Sequence, residues 1–294
     1  MNIEDINFQD FKCRCSRIGD MMSDSKDSPP LTEKQEQELK DLEKKGDSLT
    51  AVQSIKLAEL IAKKDKNLNG DISDSHAQYL LEVYAEMTEG IVSIEKEVAY
   101  APAIEKGLNM EQEAAMMISK VTGRLFKVHK ERITNDYLSG ELDLYEGESP
   151  VQASCIVDVK NSIDYVGYLK KIKKKPERQY VFQVQGYIDI SNASEGYVGD
   201  VICTMPEELQ MDYVNKLVRK HRVISEESAD PDFRKSLYRL LRSMDYSNID
   251  ERLRVNLKPI QPFSKYEQQK VYDRVKISRD WLCNFHNDRL KLIA

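Results

Sequence analysis

The chain has 294 residues, of which 40% are hydrophobic and 32% charged. Its 44 lysines and arginines against 50 aspartates and glutamates give a net charge of -6, which argues against a protein that coats nucleic acid without selectivity. No apolar run approaches the ~18 residues of a membrane span, and the N-terminal segment holds acids but no long apolar stretch. We therefore expect a cytoplasmic protein without a secretory signal or membrane contact.

The N-terminal part of the sequence predicts a helical hairpin over 31–66. Thr32 and Thr50 each begin a helical pattern, and each is followed three residues later by a glutamine, Gln35 or Gln53. This spacing is typical of a capping box, in which the two side chains bond the first free backbone N–H groups of a helix. The first helix is almost entirely charged, so we expect the hairpin to project from a larger domain.

After the hairpin, helical and strand-like patterns alternate. Predicted strands cover 137–145, 153–160 and 196–205, and predicted helices cover 107–123, 177–190, 206–221, 230–244 and 264–290. The helix at 177–190 is ambiguous because its β-branched residues also suit a strand. We predict one α/β domain over 1–294, in which a mixed sheet of about four to five strands is flanked by helices. The core of the domain would span about 76–205, followed by a helical C-terminal extension at 206–294 with an extended stretch near Pro259.

One cluster of charged residues lies on predicted strands. Asp158 and Lys160 alternate with Val157 and Val159, so the two charged side chains share one face while the valines point into a core. If Asp143 lies opposite Asp158 on a neighbouring strand, their carboxylates would converge and favour a hard cation such as Mg²⁺. A lysine beside that cation could hold a water or offset charge on a phosphate. A purely structural ion pair on the strand is the alternative.

Four motifs in the same order resemble those of a known family. They are Lys106-Gly107…Glu111…Ala114…Thr122-Gly123, then Asp143, then Asp158-Val159-Lys160, and then Tyr180-Val181-Phe182-Gln183-Val184-Gln185. This pattern is similar to that of the PD-(D/E)XK nuclease superfamily, and more narrowly to the lambda-exonuclease or YqaJ-type viral recombinase family. The resemblance covers roughly residues 76 to 205. It implies a mixed sheet flanked by helices and a metal-dependent nuclease activity.

The resemblance also implies roles for individual residues. Asp143, Asp158 and the Val159 carbonyl would hold Mg²⁺, with Mn²⁺ as an alternative ion, and Glu111 would bind a second ion or its waters. Periodicity alone does not choose between Glu111 and Glu113. Lys160 would position or activate the attacking water. By the same resemblance, Gln183 would orient the lysine and the scissile phosphate, and Gln185 would support it.

Contacts with DNA are expected at two places. Ser16, within Arg14-Cys15-Ser16-Arg17, resembles the family segment that receives a terminal 5′-phosphate, although Glu141 stands where close relatives have a phosphate-contacting serine. Six basic residues lie between the aspartate–lysine strand and the glutamine helix: Lys170, Lys171, Lys173, Lys174, Lys175 and Arg178. Such a run could bind several phosphates, or it could be a solvated loop.

The family resemblance implies an exonuclease that degrades the 5′ strand of duplex DNA ends and leaves 3′ single strands for phage-type recombination, in a bacterial or phage-infected host cell. It further implies a ring-shaped homotrimer and a single-strand-annealing protein as a partner. Two alternatives stay open at this point. An endonuclease of restriction or repair would share the catalytic residues, and a non-enzymatic DNA-binding module would need neither metal nor Lys160.

Overall fold

A computed structural model describes residues 6–23, 31–69, 72–93 and 102–292. The chain divides into two compact units, one made of Met1–Glu97 with Phe263–Ala294 and one made of Val98–Pro262. The described helices are α1 (Ile18–Met21), α2 (Glu33–Lys45), α3 (Ala51–Asn69), α4 (Asp74–Glu89), α5 (Pro102–Asn109), α6 (Glu111–Thr122), α7 (Tyr165–Ile172), α8 (Arg178–Ser191), α9 (Glu207–His221), α10 (Pro231–Arg242) and α11 (Lys265–Lys291). The described strands are β1 (Cys13–Arg14), β2 (Lys127–Val128), β3 (Arg132–Thr134), β4 (Leu138–Glu141), β5 (Leu144–Gly147), β6 (Ala153–Asn161), β7 (Glu195–Val201) and β8 (Val255–Ile260).

The first unit contains the predicted helical hairpin, formed by α2 and α3. Thr32 and Gln35 form a reciprocal capping box at the start of α2, and Thr50 and Gln53 exchange the same two bonds before α3. The two helices pack through buried leucines, namely Leu39, Leu42 and Leu60. The hairpin is therefore confirmed as a structure. Its status as an insertion in a single domain over 1–294 stays a prediction.

The first unit also contains α4 and the long α11, which are joined by buried polar contacts. His76 Nε2 lies 2.8 Å from Ser278 Oγ, and the Tyr84 hydroxyl lies 3.0 Å from His286 Nδ1. Among the described residues, no helix combines the length and the apolar character needed to cross a bilayer.

In the second unit, five described strands form a mixed sheet in the order β2-β5-β6-β7-β8. The central pair β6 and β7 is parallel, while the β2–β5, β5–β6 and β7–β8 pairs are antiparallel. The strand predicted over 137–145 is divided into β4 and β5, because β4 pairs with β3 and β5 pairs with β6. The extended stretch expected near Pro259 is β8, an edge strand of this sheet.

Helices cover both faces of the sheet. On one face α6 packs its alanine and methionine stripe against Val157, Val201 and Leu144. On the other face α8 packs so closely that a Cβ added at Gly196 would lie 2.6 Å from Ile188 Cδ1. The segment at 177–190, whose periodicity is ambiguous, is therefore a helix. Its β-branched residues Val184 and Ile188 pack against β7 at Gly196, where the absence of a side chain allows the close approach. Asp158 and Lys160 alternate with Val157 and Val159 along β6 and therefore point to the α8 face.

Candidate active site

Two carboxylates converge where β5 begins and β6 nears its end. Asp143 directly precedes β5, and the pairing of Leu144 with Val157 places Asp143, one step further, opposite Asp158. The Val159 N–H donates a 2.7 Å hydrogen bond to Asp143 Oδ2, which fixes that carboxylate against β6. Asp158 is fully buried. The convergence expected from strand alternation is thus present in the structure.

Lys160 lies beside these carboxylates, on the same face of β6 as Asp158. Its Nζ atom lies 2.8 Å from Asp158 Oδ2 and donates to Oδ1 at 3.0 Å. The same ammonium group lies 4.6 Å from the ring centroid of Tyr180, in the first turn of α8. The lysine is therefore held between a carboxylate and an aromatic face, with about a fifth of its side chain (21%) still exposed.

The electrostatics of this cluster follow from the burial of its charges. Burial, followed by the charge of Asp158, raises the pKa of Asp143 to about 7. Burial also raises the pKa of Asp158, against the opposing effect of Lys160. Burial by itself would lower the pKa of Lys160, but the charges of Asp158 and Asp143 outweigh it and leave that pKa raised. One ammonium group thus faces two carboxylates, so the ionised cluster has an excess negative charge that favours a cation.

The donor set suits a magnesium ion better than a metal held entirely by side chains. In the part of the chain that the structure describes, no three His, Cys, Asp or Glu side chains gather as a metal site. Mg²⁺ usually binds through one or two carboxylates and keeps several waters. Asp143, Asp158 and the Val159 carbonyl offer such a set. In addition, the buried Asp158 Oδ2 forms the 2.8 Å ion pair with Lys160 but accepts no hydrogen bond of good geometry from a described donor.

The structure distinguishes between Glu111 and Glu113, the two glutamates between which helical periodicity does not choose. Glu111 begins α6, lies 3.1 Å from Lys130 Nζ, and is among the charges that raise the pKa of Asp143, after burial and Asp158. Glu113 instead pairs with Arg254 at 3.2 Å. Glu111 is therefore the acid whose charge acts on the carboxylate pair, although its role at a second ion stays a prediction.

The glutamines of α8 make contacts other than those expected. Gln183 Nε2 donates to the Tyr187 hydroxyl at 2.8 Å, and Gln185 Nε2 donates to the Gln261 carbonyl at 3.1 Å. The α8 side chain that contacts Lys160 is Tyr180, to which the sequence motifs assign no role. A signal was present, since Tyr180 and Gln183 are three residues apart and share one face of a helix.

The six basic residues from Lys170 to Arg178 are all exposed. They connect α7 to the turn of α8 that holds Tyr180 against Lys160, so the segment lies next to the carboxylate cluster. Its beginning is fixed by Lys258, which donates to the Lys171 carbonyl at 2.8 Å and pairs with the buried Asp200 at 2.7 Å.

Ser16 belongs to the other unit and is exposed. The arginines on either side of it are engaged: Arg14 lies 2.5 Å from Glu86, and Arg17 lies 2.8 Å from Asp20. Glu141, at the position of the family's serine, pairs with Arg132 at 2.5 Å. A phosphate at either place would therefore compete with existing ion pairs.

Comparison with known proteins gives a clear result for the fold. No family model and no curated protein matches the chain. Among solved structures, a phage-related exonuclease from Haemophilus somnus is similar at a TM-score of 0.59 and 18% identity, over 95% of this chain and 96% of the other. An alkaline exonuclease from Laribacter hongkongensis is similar at a TM-score of 0.52 and 11% identity, over 97% and 96%. The same exonuclease in complex with dAMP gives 0.52 and 12%, over 98% of both chains.

These comparisons define the fold of the chain. It is a PD-(D/E)XK nuclease-like α/β fold, with a mixed sheet flanked by helices, a helical hairpin and a helical C-terminal extension. The predicted fold class is confirmed. At such identities the likeness extends to the fold alone, so the activity has to be argued from the site.

Proposed function

We propose that this protein is a metal-dependent DNA exonuclease that hydrolyses phosphodiester bonds from duplex ends. The observation that supports this most directly is the cluster of Asp143, Asp158 and Lys160, in which one half-buried and one fully buried carboxylate and one lysine lie beside an exposed basic segment. Buried charges are costly, and a binding module has no need to gather two acids around one lysine.

Each residue of the cluster has a role in the proposed reaction. Asp143, Asp158 and the Val159 carbonyl would hold Mg²⁺, or Mn²⁺ in its place, and Glu111 would hold a second ion through water. The bound ion would supply a Lewis acid that polarises the phosphate and lowers the pKa of a bound water. Lys160 remains an ammonium group beside Asp158, so it donates hydrogen bonds to the water and to the phosphate oxygens. Gln183 would orient the lysine and the phosphate after release from Tyr187.

The finer features of the proposal derive from the family resemblance. They are digestion of the 5′ strand, a role in phage-type recombination, a ring-shaped homotrimer and an annealing protein as partner. The basic segment from Lys170 to Arg178 would bind the phosphates of the substrate, with Gln185 in support, and Ser16 would contact the terminal phosphate. The neighbour that was solved with dAMP supports a nucleotide as the chemical class bound by this fold.

The deciding experiment uses a linear duplex with a 5′-phosphate on one strand only and a circular duplex of the same sequence. We expect Mg²⁺-dependent loss of the phosphorylated strand, no cleavage of the circle, and no reaction in EDTA. Lys160→Ala should lower the rate by at least ~100-fold, since removing one stabiliser of transition-state charge typically costs that much. The matched control is Lys120→Ala, which removes an exposed lysine from α6 on the opposite face of the sheet.

Other outcomes would contradict the proposal in distinct ways. Cleavage of the circle would identify an endonuclease with the same catalytic residues. Binding of DNA without metal and without cleavage would mean that the cluster has a structural role. A Lys160→Ala variant that is as active as Lys120→Ala would remove the lysine from the mechanism, provided that both variants have the parent's melting temperature.

A further inference from the structure

A second candidate site is a cleft of about 1010 Å³ beside α10. We call it the α10 cleft. It lies between the beginning of α7, the segment after β7 and the C-terminal half of α10. Its lining includes Tyr165, Thr204, Tyr238, Arg242, Tyr246 and Asn248. The carboxylate cluster contributes no residue to this lining, so the cleft is separate from the candidate active site.

The helix beside the cleft has a basic outer face. Phe233 and Leu237 are buried against Val214 of α9, which leaves the opposite face of α10 exposed. The exposed residues of that face include Lys235, Tyr238, Arg239 and Arg242, with one acid, Asp232, in the first turn; Arg234 is exposed at the side of the helix. The spacing of Lys235, Arg239 and Arg242 aligns three cations along one side of the helix.

These cations differ from other arginines of the same unit. Arg124, Arg132, Arg252 and Arg254 each pair with a carboxylate. Among the ion pairs of the described residues, none includes Arg234, Lys235, Arg239 or Arg242. A row of uncompensated cations in a chain of net charge -6 indicates an anionic ligand.

The aromatic residues of the cleft narrow the choice of ligand. Tyr238 is 64% exposed, and Tyr165 is half-buried, with its ring 5.9 Å from the rings of both Tyr168 and Tyr246. Exposed aromatic faces beside basic residues are typical of single-strand binding, because unpaired bases can stack on them. In a duplex the base faces are already stacked on one another, and mainly phosphates and groove edges are accessible.

Two acids, Asp164 and Asp245, line the α10 cleft. Their charge favours an arrangement in which bases lie inside the cleft and phosphates lie outside it. Asp164 accepts a 2.6 Å hydrogen bond from the Gly167 N–H, and Asp245 accepts a 2.9 Å bond from the Ser247 N–H. These carboxylates would repel phosphates within the cleft. The carboxylates can accept hydrogen bonds from the edges of bases, and the Asn248 amide can both accept and donate them. The phosphates would then lie along Arg239 and Arg242.

We infer that the α10 cleft binds single-stranded DNA, with bases against Tyr165 and Tyr238 and phosphates on Arg239 and Arg242. The inference rests on the proposed function for the source of the strand, because digestion of one strand leaves the other unpaired. Tyr165 follows Lys160 by five residues, so their Cα atoms are at most ~18 Å apart. A strand released at the carboxylate cluster could therefore reach the cleft.

The test is the affinity of the full chain for a fluorescein-labelled 12-nucleotide thymidine strand, measured by anisotropy in EDTA at several salt concentrations. We expect Arg239→Ala/Arg242→Ala to weaken binding at least tenfold and to reduce the salt slope by about 1.4, or ~0.7 for each phosphate that is no longer neutralised. Tyr238→Leu should weaken binding about tenfold without changing that slope, because the variant removes a stacking ring but no charge. Lys120→Ala/Arg252→Ala removes two exposed charges elsewhere in the unit and should match the parent.

The inference is overturned if the cleft variants bind the strand as tightly as the Lys120/Arg252 control. It is also overturned if they lose affinity for a blunt duplex to the same extent, since the face would then bind duplex phosphates. These results are distinguishable from failure of the proposed function. An inactive parent whose cleft variants lose single-strand binding would refute the nuclease and leave the cleft assignment standing, whereas an active parent with unaffected cleft variants would refute the cleft alone.

Discussion

The position of Lys160 depends on two neighbours of different chemistry, the Asp158 carboxylate and the Tyr180 ring. A cation over an aromatic face gains ~1–2 kcal/mol when it is partly desolvated. Tyr180→Leu should therefore lower the single-turnover rate of DNA hydrolysis roughly tenfold, since 1.36 kcal/mol corresponds to a factor of ten. Tyr180→Phe retains the ring and should stay within about threefold of the parent.

The pair of Tyr180 variants separates two roles for the tyrosine. If the phenylalanine variant loses as much activity as the leucine variant, the hydroxyl group and not the ring face is important. If neither variant differs from the parent in single-turnover rate, the contact with Lys160 does not position the lysine. Equal melting temperatures are required for either conclusion, because Tyr180 is half-buried.

At the level of residues, the sequence predicted those contacts that depend on local periodicity. Strand alternation is sufficient to place Asp158 and Lys160 on one face, and the structure has them there. The choice between Glu111 and Glu113 could not be made, because it depends on Arg254, which is 141 positions away from Glu113 in the chain. The bond from Gln183 to Tyr187 joins two residues four positions apart on one helix, a spacing that local periodicity allows, whereas the family resemblance predicts that Gln183 faces Lys160.

At the level of secondary-structure elements, the packing of α4 on α11 makes stability dependent on pH. His76 is fully buried, and burial followed by the charge of Arg274 lowers its pKa from 6.5 to about 3. Between those values the unfolded chain binds a proton that the folded chain does not, so stability is lost as the pH falls. For these pKa values we expect the free energy of unfolding to decrease by about 2 kcal/mol from pH 7 to pH 5 through this residue alone.

Urea denaturation followed by the fluorescence of Trp281 measures this effect, because the tryptophan lies on α11 and is the only one in the chain. His76→Gln should remove about 2 kcal/mol of the pH dependence. Thr88→Val is the matched control, since it removes a buried hydroxyl from the same helix but no titratable group. A His76→Gln variant with the parent's full pH dependence would show that His76 is protonated as readily in the folded state.

The limits of sequence-based prediction are clearest at the ends of elements. The helix predicted over 107–123 is divided at Met110 into α5 and α6, although the apolar stripe continues through the break. His286 is buried, and its hydrogen-bond partner is Tyr84 of α4, which is 202 positions away in the chain and which no local pattern around His286 indicates. In both cases tertiary contacts decide the outcome, and local periodicity does not contain them.

At the level of the whole molecule, net charge and local charge have opposite signs. The chain has a net charge of -6, yet the segment from Lys170 to Arg178 and the outer face of α10 are basic. Binding of a polyanion depends on the phosphates that are neutralised locally, and the long-range repulsion of the remaining acids is screened at physiological salt. The proposed function therefore requires that DNA affinity depend more on where the lysines lie than on the net charge of the chain.

Two variants of equal net charge test this requirement. Lys173→Gln/Lys174→Gln/Lys175→Gln removes three charges from the basic segment, and Lys34→Gln/Lys44→Gln/Lys45→Gln removes three from exposed positions of α2. If each of the first three lysines contacts a phosphate, the first variant should lower the salt slope of duplex binding by about 2.7, or ~0.9 for each lysine, while the second keeps the parent's slope. Binding is measured by anisotropy with a blunt duplex in EDTA. Equal losses in both variants would mean that total charge governs binding, and the basic segment would then be a solvated loop.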